Sequence, residues 1–163
     1  MKIANRMETL SPSVTMAITA LGRELKAQGK DILSFSAGEP DFDTPQIVKD
    51  AAIKAINDGQ TKYTAVEGII ATKQAIINKL KKDHGLEYKL DGIVISNGAK
   101  HSLFNLFQVL IEKGDEVIIP APYWVTYPEQ VKFSDGVPVF IETDDSTDFK
   151  ITPEQLKAAI TPK

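Results

Sequence analysis

The chain has no cysteine in its 163 residues. Disulfides, thiolate metal sites and thiol nucleophiles are therefore excluded. Histidine is nearly as scarce, with only His84 and His101, which rules out a histidine-rich metal site. Neither sits in a residue pattern that suggests catalysis; they read as a helix-end and a helix-face residue. No apolar run approaches the ~20 residues that span a bilayer. The opening Met1-Lys2-Ile3-Ala4-Asn5-Arg6 lacks the apolar core of a signal peptide, so a cytoplasmic protein is the default expectation. There is no strong charge of either sign: a net charge of −3 and a pI near 5.4 give no electrostatic reason to expect nucleic acid or an anionic membrane as partner. Neither a Gly-x-Gly-x-x-Gly nor a Gly-Lys-Ser/Thr phosphate loop occurs, which weakens the case for a nucleotide.

What is present is ordinary for a globular domain. The composition is 42% hydrophobic and 25% charged, and a chain of this size buries roughly 70% of its unfolded surface when it forms one core. Ser11-Pro12-Ser13 leads into a helix that runs to about Gln28, with Gly29 as its stop. Ile32-Leu33-Ser34-Phe35 reads as a short strand, followed by the loop Ser36-Ala37-Gly38-Glu39-Pro40-Asp41-Phe42-Asp43. Thr44-Pro45 starts a second helix, with a cap residue before a proline, and Gly59 ends it. From Gly68 to about Asp83 the pattern is amphipathic, apolar at Ile69, Ile76, Ile77 and Leu80 and basic at Lys79, Lys81 and Lys82.

After residue 92 strands and helices alternate. A strand at 93–96 leads to a helix at 99–112, a strand at 116–119 to a helix at about 124–132, and a further strand follows at 137–141. Thr152-Pro153-Glu154-Gln155 carries a capping box that starts another helix. The strands are short and apolar throughout, as expected where helices cover both faces. Strand–helix–strand repetition implies a parallel sheet. The expected fold class is α/β: a three-layer, mostly parallel sheet flanked by helices. The next element of that alternation would be a strand, so the sheet is expected to be incomplete and the chain to be the cut part of something longer.

Two turns carry the chemistry. Ser96-Asn97-Gly98-Ala99-Lys100 passes from an apolar run into the helical Ser102-Leu103-Phe104-Asn105-Leu106-Phe107. A small-residue turn of that kind leaves helix-start N–H groups pointing one way, with the helix dipole behind them, and can hold a phosphate. About twenty residues later Pro120-Ala121-Pro122-Tyr123-Trp124 sets an aromatic ring after the next apolar run. Ligands gather at the carboxyl ends of strands in such sheets. An anion site beside a flat ring suits a flat, phosphorylated cofactor.

These segments, with Ala37-Gly38-Glu39-Pro40-Asp41-Phe42-Asp43-Thr44-Pro45, Thr61-Lys62-Tyr63-Thr64 and the continuation Val125-Thr126-Tyr127-Pro128, resemble the class I aminotransferases. Those are pyridoxal-phosphate enzymes of fold type I, and the similarity is greatest to the bacterial aspartate aminotransferases. Four motifs in register cover the whole chain, whereas full-length members are more than twice as long. The resemblance implies that pyridoxal 5'-phosphate is the cofactor and that an amino acid, leaning to aspartate, and a 2-oxo acid are the substrates. It implies backbone contacts from Ala99 and Lys100 to the cofactor phosphate, with Gly98 allowing the approach, and stacking of Trp124 on the pyridine ring. Tyr63 would reach the phosphate of a neighbouring subunit's cofactor, making a homodimer part of the site. Gly38 would hold the substrate's α-carboxylate through its N–H, and Thr15 would lie near the distal carboxylate. Residues 1–44 would be the arm and a small-domain segment, and 45–163 the first part of the large cofactor-binding domain.

Plainer readings stand beside each role. Trp124 and Tyr63 suit ordinary packing or loop anchoring, Gly98 and Gly38 suit plain turns, and Lys100 suits a solvated surface position. The residues that perform the family's chemistry are missing as well. The family places its cofactor-holding lysine in a Ser-x-Ser/Thr-Lys stretch followed by a glycine and an arginine. Thr61-Lys62 and Thr72-Lys73 are the only Thr-Lys pairs, and the only arginines are Arg6 and Arg23. No catalytic residue is therefore assigned in this chain, and residues 1–163 alone are expected to be inactive as a transaminase and to hold the cofactor weakly if at all. A phosphate-ligand module without catalysis, a dimerisation half, and another pyridoxal-phosphate reaction such as a lyase or decarboxylase remain open readings.

Overall fold

The structure is a computed structural model that describes residues 2–35 and 38–163. Ser36 and Ala37, the start of the expected 36–43 loop, lie outside the described residues, as does Met1. The chain divides into two compact units, Met1–Ala37 with Ala99–Lys163, and Gly38–Gly98.

In the first unit, α1 (Val14–Ala27) begins where the Ser13 hydroxyl accepts the Met16 N–H, and Gly29 takes a positive φ of 77° just past its end. That matches the cap-and-stop pattern of the sequence. Helix α4 (Ala99–Leu110) leads to β1 (Glu116–Pro120), α5 (Thr126–Phe133), β2 (Val137–Ile141) and α6 (Pro153–Ala159). The two strands pair in parallel, from Glu116 opposite Val137 to Pro120 opposite Ile141. The capping box at α6 forms as the sequence requires, with Thr152 and Gln155 exchanging side-chain and backbone bonds.

Helix α5 is the centre of this unit and packs against α4, β1 and β2. Its Val131 is fully buried, alongside Ile119 of β1 and Ile141 of β2. The Phe104 ring of α4 meets Phe133 of α5 at 5.5 Å between centroids. Gly136 lets β2 begin this close: a Cβ there would lie 2.7 Å from Ile111 Cγ2, 3.1 Å from Val131 Cγ1 and 3.3 Å from the Asp115 carbonyl. Gly136→Ala therefore overpacks the centre and is expected to destabilise by about 1–3 kcal/mol. Thermal unfolding checks it, each kcal/mol lowering Tm by roughly 2–4 °C.

In the second unit, α2 (Gln46–Asn57) and α3 (Ile70–His84) are joined by the 58–69 loop. Pro45 itself takes the cap position of α2, one residue later than the Thr44-Pro45 pattern suggests, and no side chain caps it. Gly85, left-handed at φ 68°, closes α3.

Two expected strands do not form among the described residues. Residues 93–96 lie in no strand, and the Ile95 N–H is taken by the Glu67 carbonyl at 3.0 Å rather than by a neighbouring strand. Residues 32–35 pair with no strand either, and Leu33 and Phe35 stand open. A strand is a property of a pair, and an apolar run supplies only one member. The parallel sheet of the α/β fold is present, reduced to β1 and β2.

Apolar surface remains uncovered. The chain exposes 13456 Å², where roughly 8,000 Å² is expected of a folded monomer of 17.9 kDa. Ile47 and Ile56 of α2 and Ile18 and Leu21 of α1 are among the exposed side chains, although the periodicity of both helices marks these faces for burial. Among the described residues no helix is long and apolar enough to cross a membrane.

Candidate functional site

The turn before α4 has the backbone that its sequence promises. Gly98 sits at φ 80°, a left-handed conformation that favours glycine, and its N–H donates to the Ser96 carbonyl at 2.8 Å. No atom lies within 4 Å of where a Gly98 Cβ would be, so the backbone angle and not crowding makes the glycine necessary. The twelve-residue α4 follows at once, with no acidic residue in its first turn. Helix-start N–H groups lack intrahelical acceptors and favour an anion.

Trp124 stands between the end of β1 and the start of α5, and the residue is 44% exposed. The backbone on both sides is held. The Ala121 N–H donates to the Ile141 carbonyl at 2.8 Å, and the Tyr127 N–H to the Trp124 carbonyl at 3.0 Å. The Thr143 hydroxyl donates to the Ala121 carbonyl, and Tyr123 stacks on Phe140 at 4.9 Å. A ring on so fastened a loop is presented rather than merely exposed.

Lys100 joins the two features. Its Nζ lies 5.0 Å from the centroid of the Trp124 ring, within cation–π range, so its side chain does more than the sequence indicated. Its carbonyl accepts from Gln130 Nε2 at 2.8 Å. Gln130 is buried on α5, and its Oε1 has no partner among the described residues. Sequence reasoning missed this residue, because a glutamine inside a short helix belongs to no motif; only the packing of α5 on α4 brings it to Lys100.

The structure thus gathers Ala99, Lys100 and Trp124 within one unit. Thr15 lies in the same unit, in the first turn of α1, where its carbonyl accepts the Thr19 hydroxyl at 2.8 Å. No hydrogen bond or ring contact joins it to Lys100 or Trp124 among the described residues. Gly38, Tyr63 and Gly98 belong to the other unit. Tyr63 is fully open in the 58–69 loop, and Gly38 is exposed with nothing near its Cβ position. His84 ends α3 and His101 lies in the first turn of α4, as the sequence placed them.

A cleft of about 340 Å³ in the first unit is lined by Ser11, Val14, Tyr123, Thr126 and Glu129, among others. Here the Ser11 N–H donates to Glu129 Oε2 at 2.8 Å, and Lys132 Nζ lies 2.8 Å from Glu129 Oε1. Partial burial alone would raise the Glu129 carboxyl. The bonds from Lys132 and the Ser11 N–H, with the Lys132 charge, outweigh that and hold it below its usual range. A carboxyl that titrates lower in the folded chain contributes fully above its unfolded value, about 4.3, and loses that contribution as pH falls through the folded value. Protection of the Ser11 amide from exchange is therefore expected to fall in acid, below about pH 4.3. Glu129→Gln should lower it about fivefold at neutral pH, the weight of one bond of ~1 kcal/mol, and remove the acid dependence.

The Gly98 turn, the α4 start and the exposed Trp124 are the features that the sequence marked for a flat group bearing a phosphate. Residues 30–163 match the family described as aminotransferase class I and II. The chain is 57% identical to the aspartate aminotransferase of Geobacillus stearothermophilus, over 100% of its own length and 42% of the relative's. It is 54% identical to the aspartate/prephenate aminotransferase of Nitrosomonas europaea, over 100% and 41%. The solved aspartate aminotransferase of Thermus thermophilus with maleate superposes with a TM-score of 0.94 at 42% identity, over 99% of this chain and 42% of that one. The chain spans about two fifths of the length of the relatives it matches. It belongs to the class I and II aminotransferase family.

Proposed function

We propose that residues 1–163 are the N-terminal part of a pyridoxal-phosphate-dependent aminotransferase, a cytoplasmic homodimer that moves an amino group between aspartate and a 2-oxo acid. The observation that carries this reading is the juxtaposition of the α4 start, Lys100 and the Trp124 ring, with Lys100 Nζ 5.0 Å from the ring centroid, in a chain of this family. Relatives named aspartate aminotransferase support the amino donor. The Thermus thermophilus enzyme was solved with maleate. That supports a dicarboxylate substrate, since maleate carries two carboxylates and cannot accept an amino group.

Pyridoxal phosphate, when bound, supplies the electron sink for bond breaking at the substrate's α-carbon. Residues of this chain bind and orient. The N–H groups of Ala99 and Lys100 hold the phosphate, and Gly98 keeps a side chain out of its way. The Trp124 face fixes the plane of the ring and shields it from water on that side. Gly38 binds the α-carboxylate through its N–H, and Thr15 stands toward the distal carboxylate. Tyr63, fully exposed, reaches the phosphate bound by the other subunit. Residues 1–44 serve as arm and small-domain segment and 45–163 as the first part of the large domain. Proton transfer at the α-carbon falls to a lysine outside these residues. Amino transfer from L-aspartate to 2-oxoglutarate by the protein as its gene encodes it tests the reading. Turnover that requires pyridoxal phosphate supports it, and aspartate lyase or decarboxylase products in place of the new amino acid would overturn it.

A further inference from the structure

The second unit holds one buried charged side chain among its described residues. Lys73 of α3 is 5% exposed, whereas Lys79, Lys81 and Lys82 of the same helix are exposed. Lysine is rarely this buried unless paired. Its Nζ faces Glu67 Oε1 at 3.9 Å, longer than a hydrogen bond yet close for a charge shielded from water. Glu67 also carries a second tie, since its carbonyl accepts the Ile95 N–H at 3.0 Å. Beside it, Gly68 at φ 102° presses so near that a Cβ would lie 2.3 Å from Ile95 Cγ1 and 2.7 Å from Ile95 Cβ. Three constraints thus meet at one point: an ion pair, a backbone hydrogen bond and a contact that admits only glycine. The point joins the end of the Tyr63 loop to the segment that turns at Gly98, three residues beyond Ile95.

We propose that Lys73, acting through Glu67, is a positioning residue for the anion-binding turn. The ion pair holds Glu67, and Glu67 and Gly68 fix Ile95. Gly98 follows Ile95 by three residues in the same unit, so the place of Ile95 bears directly on the turn at Gly98. The identity of the anion, a cofactor phosphate, rests on the proposed function; the clamp itself does not.

The test compares Lys73→Met and Lys73→Arg with the unaltered protein as its gene encodes it. It follows amide exchange at Ile95 and at 98–100, and the affinities for pyridoxal phosphate and for pyridoxal, which lacks the phosphate. Lys73→Met is expected to speed Ile95 exchange and to weaken pyridoxal phosphate binding, each about tenfold, which corresponds to about 1.4 kcal/mol. Pyridoxal affinity should stay unchanged, and Lys73→Arg should restore both readings. Should Lys73→Met fail to fold, Glu67→Gln at the half-exposed end of the pair carries the same expectations. Unchanged Ile95 exchange would overturn the proposal, as would a parallel loss of pyridoxal affinity, which marks a merely structural lysine. If the unaltered protein binds neither compound, the cofactor reading fails, and the Ile95 exchange alone decides the clamp.

Discussion

Replacing Trp124 by alanine is expected to weaken pyridoxal phosphate binding by roughly 5- to 150-fold in the complete enzyme. Stacking of a flat heteroaromatic ring on a protein aromatic contributes about 1–3 kcal/mol, and about 1.4 kcal/mol is tenfold in affinity. Trp124 is the one tryptophan of the chain, and its loop is tied to the end of β2 through Ala121. Trp124→Phe should keep most of the affinity, because the stacking face survives. The alanine variant also removes the Lys100 cation–π contact, which contributes only about 0.5–1 kcal/mol at an exposed site. Equilibrium titration with the cofactor gives the ratio. An alanine variant that binds as tightly as the parent would return Trp124 to ordinary packing.

The second large effect is a loss. Residues 1–163, prepared by themselves with excess pyridoxal phosphate, are expected to show no amino transfer above the rate of the free cofactor. Positioned proton transfer contributes about 10²–10⁴-fold by itself, and a covalent lysine adds a second difficult step made easier. No lysine here stands in a Ser-x-Ser/Thr-Lys setting. Lys73, in one of the two Thr-Lys pairs, is buried against Glu67. Lys62, in the other, lies on the open 58–69 loop. Cofactor-dependent turnover by this piece would show that the chemistry resides in residues assigned here to binding.

Much of this was legible in the sequence where a local rule suffices. The lead-in at Ser13, the cap at Thr152, Gly29 as a helix end and the glycine at the α4 turn each follow from one residue's own preferences. The positions of Gly98 at a left-handed turn and of Trp124 just after β1 follow from the order of residues too. What failed was what depends on a partner. The runs at 32–35 and 93–96 have strand composition, but pairing needs a neighbour, and Ile95 found the Glu67 carbonyl instead. Gln130 and Lys73 gave no signal because a polar residue's burial is decided by the elements packed around it. The Lys100 side chain was read as surface, since nothing in the order of residues says that Trp124 will lie beneath it. The open apolar faces of α1 and α2 belong to the same class: their periodicity announces burial, and burial needs a partner surface.

Everything proposed for the site depends on one claim, that the 96–100 turn and Trp124 together hold a flat group by its phosphate and its ring. Titrating the complete enzyme with pyridoxal phosphate and with pyridoxal, and comparing the two affinities, tests it directly. Pyridoxal phosphate is expected to bind at least about a hundredfold more tightly, the worth of two or more charge-assisted hydrogen bonds from backbone N–H groups. Trp124→Ala is expected to weaken both ligands by the same factor. Equal affinities for the two compounds would contradict the claim, because the turn before α4 would then hold no phosphate.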